Sequence, residues 1–242
     1  KGKDNYTIGM GDYIDFLSPS NRARLRSADL YDNSEDVIDD KGLELTQELY
    51  ENFLKPTRGK WLGLLEGHHY TQLKTGETTD QYLARLLGTV HLGTVAFIRL
   101  VFSRGPVKNG CRRSFTIWAA HGCGGGQKAA APLYKLETVA NYFEADLYLM
   151  GHTTKRGAVP MNRVYPVFKS HPPHAEHRTL YLVGTGGFAK GYPEFSRQGN
   201  VPRGGYVERG LMAPAALGAP LIRIVHYREG KNDERREVTV EC

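Results

Sequence analysis

At four places along the chain, an aspartate or histidines follow a short apolar run beside a glycine. They are Asp12 in "NYTIGMGDYID", His68 and His69 in "WLGLLEGHHY", His121 in "SFTIWAAHGCGGG" and His152 in "ADLYLMGHTTK". A carboxylate combined with imidazoles is a typical set of ligands for a divalent transition metal such as zinc, manganese or iron. The pattern therefore indicates a metal site.

The adjacent histidines pose a separate question. Neighbouring residues on an extended chain point to opposite sides, so His68 and His69 are poorly placed to bind one ion together. The pair indicates two different roles, or else a polar turn with no role in chemistry. The residues themselves leave both readings open.

Alternating strand and helix patterns must position these side chains. Apolar runs predict strands at residues 6–10, 61–65, 115–119 and 147–150, and a fifth within residues 179–188. Helical spacing of apolar residues predicts helices at 42–54, 78–88 and 132–143, the second with Thr79 as its N-cap and Gly88 as its end. This order is typical of an α/β layered domain, in which ligands bind beyond the carboxyl ends of the strands.

Residues 157–242 differ in composition, with many glycines and prolines and late strand-like runs such as "PLIRIVHY". We expect this part to complete a second sheet, with loops over one face. The sequence contains no internal repeat and no long linker, which predicts a single domain over residues 1–242.

The net charge of +6 over 242 residues favours anionic partners, and it permits a phosphate-bearing substrate. Clusters such as Arg22, Arg24 and Arg26 are interpreted as solvated surface. Hydrophobic residues make up 40% and charged residues 24% of the chain, as in an ordinary soluble globular protein.

Cysteine usage bears on the compartment. Cys111, Cys123 and Cys242 show no metal-like spacing and form no even disulfide set, which favours an intracellular, reducing setting and a cytoplasmic location. No apolar run approaches the roughly 20 residues of a membrane span, so no membrane partner is expected. The sequence leaves a homo-oligomer open.

The ordered motifs resemble those of the calcineurin-like metallophosphoesterases, over roughly residues 6–188. "GDYID" matches the Gly-Asp-x-x-Asp motif of that family, and "GHHY" stands where the family has Gly-Asn-His-Asp/Glu. "AAHG" matches the lone histidine after a strand, and "GHTT" stands for Gly-His-x-His. The resemblance implies an α/β/β/α sandwich of two sheets flanked by helices.

The resemblance also implies a function, which is metal-dependent hydrolysis of a phosphodiester or phosphomonoester by metal-activated water. One or two ions of manganese, iron or zinc would bind. Because Phe16 and Leu17 follow Asp15, where protein phosphatases continue with Arg-Gly, a nuclease- or phosphodiesterase-like role acting on nucleic acid or nucleotides is favoured. The implied metal ligands are Asp12, His68, His121 and His152, and the implied catalytic residues are His69 and, as its orienting acid, Asp15.

Two departures from the family concern the second metal. That site requires an upstream Asp-x-His motif, and none occurs among the eleven residues before Asp12; the last histidine of Gly-His-x-His is Thr154 here. We expect that the chain lacks an N-terminal strand carrying the missing motif. The alternative is a catalytically weak metal-binding scaffold for nucleic acid or protein partners. An amidohydrolase would need His-x-His after its first strand, which is absent.

The stretch "HGCGGGQK" is a candidate phosphate-binding loop, because small residues let backbone N–H groups approach an anion. It is not a Walker A motif. Lining of the substrate side and a simple flexible turn are equally consistent with this stretch. The candidate substrate-binding residues are Gly122, Gly124, Gly125 and Lys128.

Overall fold

The computed structural model describes residues 5–104, 111–125, 128–168, 172–198, 200–215, 217–229 and 233–242. Packing of the backbone divides the chain into two compact units. The first unit comprises Lys1–Ala96 and Ala119–His121, and the second comprises Phe97–Trp118 and Gly122–Cys242. The described residues form a mixed α/β structure, as the sequence predicts.

The described part of the first unit contains a sheet of three short strands and three α-helices. Strands β1 (Thr7–Gly9), β2 (Trp61–Leu65) and β3 (His91–Gly93) form a sheet in the order β1-β2-β3, with both neighbouring pairs parallel. The helices are α1 (Pro19–Ser27), α2 (Asp32–Leu49) and α3 (Thr79–Leu87), and a π-helical turn at Tyr50–Leu54 and a 3₁₀ turn at Lys55–Thr57 follow α2. One buried apolar cluster in this unit consists of Tyr50, Leu64, Leu83, Ala84 and Leu87.

Two helix boundaries in this unit differ from the sequence-based prediction. Helix α2 begins at Asp32 rather than near residue 42, because its first turns are exposed and carry too few apolar residues to show a periodicity. Helix α3 is capped by Thr78 rather than Thr79: the Thr78 hydroxyl accepts from the Gln81 N–H, and the Gln81 side chain accepts from the Thr78 N–H. The helix ends as predicted at Gly88, whose φ is 67°.

The second unit is built on a five-stranded sheet in the order β4-β5-β6-β8-β7. Its strands are β4 (Val95–Arg104), β5 (Cys111–Ala120), β6 (Leu147–Met150), β7 (Arg156–Val167) and β8 (His174–Thr185). Strands β6 and β8 are parallel, whereas β7 and β8 are antiparallel. Helix α4 (Ala131–Val139) contributes the buried Leu136, and buried apolar side chains of β5, β6 and β8 form the rest of this core.

The chain after β8 is largely loops and short elements. Strands β9 (Arg197–Gln198) and β10 (Val201–Pro202) pair with each other, α5 (Tyr206–Arg209) follows, and β11 (Leu221–Glu229) pairs with β12 (Asp233–Glu241). The sequence predicts that residues 157–242 complete a second sheet. In the structure, β7 and β8 extend the sheet that already holds β5 and β6, and β11–β12 is a separate hairpin.

Among the residues that the structure describes, no helix is both long enough and apolar enough to cross a membrane. The cytoplasmic location stays a prediction.

Candidate metal centre

Strands β1 and β2 are parallel neighbours, so the loops that follow them leave the same edge of the sheet. The loop after β1 reaches Asp12 through Gly11, whose φ is +91°. A Cβ atom on Gly11 would lie 2.5 Å from His121 Nδ1 and 2.7 Å from Gly67 Cα. Only glycine therefore allows the three segments to approach this closely.

The loop after β2 passes through Gly67, and a Cβ atom there would collide with the backbone of Asp12. The close approach allows one carboxylate oxygen of Asp12, Oδ1, to accept from the backbone N–H groups of His68 and His69. The His69 N–H lies 3.0 Å from that oxygen. Asp12 thus holds the two adjacent histidines in a fixed backbone position.

His121 follows β5, and only 3% of its surface is exposed. Its Nδ1 lies 2.5 Å from the Met10 carbonyl oxygen. A carbonyl can only accept, so Nδ1 carries the hydrogen and Nε2 is the atom that faces Asp12, at 3.2 Å from Oδ2. The imidazole rings of His68 and His121 are in edge contact, with centroids 4.7 Å apart.

The pKa values of Asp12 and His68 favour the forms that bind a metal, whereas that of His121 favours the charged form. Burial alone would raise the pKa of Asp12, but His121 and the two backbone N–H groups outweigh it and hold the pKa well below its usual range. Burial, followed by the nearby His121, lowers the pKa of His68, which favours the neutral imidazole. Burial also disfavours the charged form of His121, but the Asp12 carboxylate outweighs it and raises the His121 pKa.

The donor set fits a metal ion. Asp12, His68 and His121 each offer one ligand atom, and these atoms lie within 4.8 Å of one another. One carboxylate oxygen and imidazole nitrogens are ligands that zinc, manganese and iron all accept. These residues could hold a metal ion, and the donor types alone do not select among the three metals.

His69 has different contacts from its neighbour His68. Its Nδ1 lies 2.7 Å from a carboxylate oxygen of Asp15, and 27% of the His69 side chain is exposed, against 80% for Asp15. The side chains of the adjacent histidines thus face different partners, because the His68 ring contacts the His121 ring and the His69 ring contacts Asp15. The contact that the resemblance implies between Asp15 and His69 is present, and a catalytic role for the pair stays a prediction.

The remaining predicted metal-site positions lie in the second unit. His152 is the second residue after β6, next to Gly151, and its φ of 60° is unusual for a residue other than glycine. Thr154 has a φ of 53°, and its hydroxyl donates to the Thr153 carbonyl at 2.8 Å. The Thr154 hydroxyl is thus engaged with its own backbone.

The candidate phosphate-binding loop also lies in the second unit. Gly122 has a φ of +100°, and a Cβ atom there would lie 2.6 Å from Met150 Cγ, so this glycine is required by packing. Gly124, Gly125 and Lys128 are exposed, and a Cβ atom on Gly125 would meet nothing within 4 Å. Their role in binding substrate stays a prediction.

Two residues beside the centre were not identified from the sequence. Asp80, only 2% exposed, accepts from the Gly67 N–H at 2.9 Å through Oδ2. The Arg22 guanidinium donates to the carbonyl oxygens of His68 and Tyr70, at 2.6 and 2.8 Å, so this arginine is not the solvated surface residue that its cluster predicts. An acid in the first turn of a helix and an arginine in a basic run are common, and neither carries a sequence signal of such contacts.

Comparison of the chain with models of protein families, with curated proteins and with solved structures gives no match. The functional interpretation therefore rests on the residues and their geometry.

Proposed function

We propose that this chain is a metal-dependent phosphoric ester hydrolase that cleaves a phosphodiester or phosphomonoester, with a nuclease- or phosphodiesterase-like substrate preferred. One observation carries the proposal. Ligand atoms of Asp12, His68 and His121 lie within 4.8 Å of one another, and the next residue, His69, is paired with Asp15 at 2.7 Å. Metal ligands beside a carboxylate-oriented histidine are what the resemblance to metallophosphoesterases requires. The layered α/β/β/α sandwich belongs to the same proposal.

Asp12, His68 and His121 would hold the ion, and the resemblance adds His152 as a fourth ligand. When bound, a divalent ion supplies Lewis-acid chemistry, by lowering the pKa of water and offsetting charge on phosphoryl oxygens. Around it, Asp12 serves two purposes, because Oδ2 faces His121 while Oδ1 fixes the backbone of the histidine loop. The Met10 carbonyl holds His121 in the tautomer whose Nε2 can act as a ligand.

His69 is the proposed general acid. Its Nδ1 faces the Asp15 carboxylate, which leaves Nε2 as the atom that can deliver a proton to the leaving oxygen of the ester. The carboxylate stabilises the protonated imidazole and fixes its orientation. The partial exposure of His69 leaves room for a substrate to reach it.

A second candidate function, the catalytically weak metal-binding scaffold, is favoured by one specific observation. Thr154 occupies the position of a family metal ligand, and its hydroxyl donates to the adjacent Thr153 carbonyl. A neutral hydroxyl is a poor ligand for these ions, which weakens a second metal site. A chain with one weakly activating ion could bind phosphate esters without turning them over.

The deciding experiment combines metal content with turnover. Purified protein is analysed by elemental mass spectrometry and assayed for hydrolysis of bis-p-nitrophenyl phosphate with added manganese. We expect bound metal and turnover, and loss of both in His121→Ala. The matched control is His177→Ala, an exposed histidine on β8, which should match the unaltered chain. Bound metal without turnover would favour the scaffold, and absence of metal binding would exclude both candidates.

A further inference from the structure

In the loop Gly67–Tyr70, which carries both histidines, five backbone polar groups bind side chains rather than a strand or helix. The Gly67 N–H donates to Asp80, and the His68 and His69 N–H groups donate to Asp12. The carbonyl oxygens of His68 and Tyr70 accept from Arg22. The conformation of this loop is therefore set by three distant side chains.

Asp80 acts on the loop from the interior. It is in the first turn of α3, is 2% exposed, and holds Gly67 at 2.9 Å, directly before the proposed ligand His68. The same helix also binds the residue that follows the loop, since the Thr71 N–H donates to the hydroxyl of Thr79. Helix α3 thus fixes both ends of the loop.

Arg22 acts from helix α1. Its guanidinium reaches the His68 carbonyl oxygen at 2.6 Å, the Tyr70 carbonyl oxygen at 2.8 Å and the Leu17 carbonyl oxygen at 2.7 Å. The guanidinium carbon also lies 4.0 Å from the centre of the Tyr70 ring. A planar, multi-donor cation stacked on an aromatic ring has little freedom, so it fixes the carbonyl groups on both sides of His69.

We infer that Arg22 and Asp80 are positioning residues for the metal ligand His68 and the catalytic His69. This inference rests on the proposed function. Neither residue is placed to touch the ion; each acts through the backbone of the loop. Losing such a supporting contact typically weakens metal affinity by roughly 10–100-fold.

The test uses the full chain stripped of metal with a chelator. Binding of Mn²⁺ alone is measured by calorimetry, and backbone hydrogen exchange is measured over residues 67–71 without metal. We expect Arg22→Gln and Asp80→Ala each to weaken Mn²⁺ binding by roughly 10–100-fold and to speed exchange in this loop. Asp80→Asn keeps an acceptor for the Gly67 N–H. Its Mn²⁺ affinity and its exchange rates in the loop should therefore lie close to those of the unaltered chain.

Controls separate positioning from general destabilisation. Arg24→Gln on the same helix and Asp40→Asn on α2 change exposed residues of the same types and should leave both readouts unchanged. Arg22→Lys keeps the charge and one donor nitrogen but not the planar guanidinium, and an intermediate Mn²⁺ affinity is expected; this variant also decides the question if Arg22→Gln fails to fold. Affinity and exchange within twofold of the unaltered chain, in Arg22→Gln and Asp80→Ala, would overturn the inference.

The same data distinguish failure of the proposed function from failure of the positioning role. An unaltered chain that binds no Mn²⁺ overturns the proposed function, and the positioning role with it, whatever the exchange rates. An unaltered chain that binds Mn²⁺, with variants that bind it equally well, overturns the positioning role alone.

Discussion

At the scale of residues, a single carboxylate organises the candidate centre. Asp12 faces His121 through one oxygen and fixes the backbone of His68 and His69 through the other. This arrangement answers the question raised by the adjacent histidines, because one of them contacts His121 while the other contacts Asp15. Two different sets of neighbours support two different roles.

The first prediction separates those roles. His69→Ala should lower kcat by about 10²–10⁴-fold, since a general acid is lost, while metal content stays near that of the unaltered chain. His68→Ala should lower metal content as well, because a proposed ligand is lost. Steady-state hydrolysis of bis-p-nitrophenyl phosphate and elemental mass spectrometry on the same samples provide the measurement. Equal metal loss in the two variants would contradict separate roles.

The second prediction concerns Gly67. An alanine there places a methyl group against the backbone of Asp12, which must move. We expect Gly67→Ala to cost about 1–3 kcal/mol in the free energy of unfolding and to weaken metal binding, because Asp12 and the histidine loop separate. Gly205→Ala is the matched control, since a Cβ atom there meets nothing within 4 Å. Urea unfolding with Mn²⁺ titration makes the measurement; unchanged metal affinity would rule out the proposed geometric role.

The candidate ligands in the loops after strands can be predicted from the sequence, whereas the residues that bind the backbone of those loops cannot. Asp12, His68 and His121 were recognisable because each follows an apolar run beside a glycine, and local pattern is visible in one sequence. Arg22 binds His68, which is 46 positions away in the sequence, and Asp80 binds Gly67, which is 13 positions away. Such contacts depend on how elements pack, which no local pattern encodes.

At the scale of elements, two strands are predicted with their observed bounds, and one strand that contains proline is not predicted. Strands β2 and β6 have the predicted bounds. Strand β7 contains Pro160 and Pro166, which indicate a break rather than a strand. It tolerates them because it lies at the edge of the five-stranded sheet, where one side of the backbone needs no partner. Whether a strand lies at the edge depends on the order of all strands in the sheet, so the local sequence does not predict it.

The third prediction belongs to helix α3 and its buried acid. Burial raises the pKa of Asp80 to about 6 from an ordinary 3.8, although its hydrogen bond from Gly67 acts in the opposite direction. The folded chain therefore binds this proton more tightly than the unfolded chain. The contribution of protonated Asp80 to stability is fully present below about pH 3.8 and is lost as the pH rises through about 6.

Asp80→Asn removes this titration. Between about pH 4 and about pH 7, the unaltered chain should lose up to about 3 kcal/mol of unfolding free energy relative to Asp80→Asn. Urea unfolding of metal-free protein across this range makes the measurement, with Asp40→Asn as the exposed control. Parallel stability profiles for the unaltered chain and Asp80→Asn would show that Asp80 has an ordinary pKa.

At the scale of the whole molecule, the net charge of +6 bears on the substrate. A positive surplus raises the local concentration of polyanions and favours nucleic acid over a small phosphate ester of low charge. Helix α2 works against this locally, since Asp32, Glu35, Asp36, Asp39 and Asp40 all lie on it. The net charge therefore predicts long-range attraction of a polyanion, rather than a continuous basic surface.

The fourth prediction tests that attraction through salt. If the substrate is a nucleic acid, raising NaCl from about 50 to about 200 mM should increase KM for a single-stranded oligonucleotide by at least about tenfold, because each displaced counterion costs binding free energy in added salt. The KM for bis-p-nitrophenyl phosphate, which carries a single charge, should change far less over the same range, and kcat for both substrates should hold nearly constant. Equal salt dependence for the two substrates would point to a small phosphate ester recognised at the metal centre alone, since only an extended polyanion releases many counterions at once.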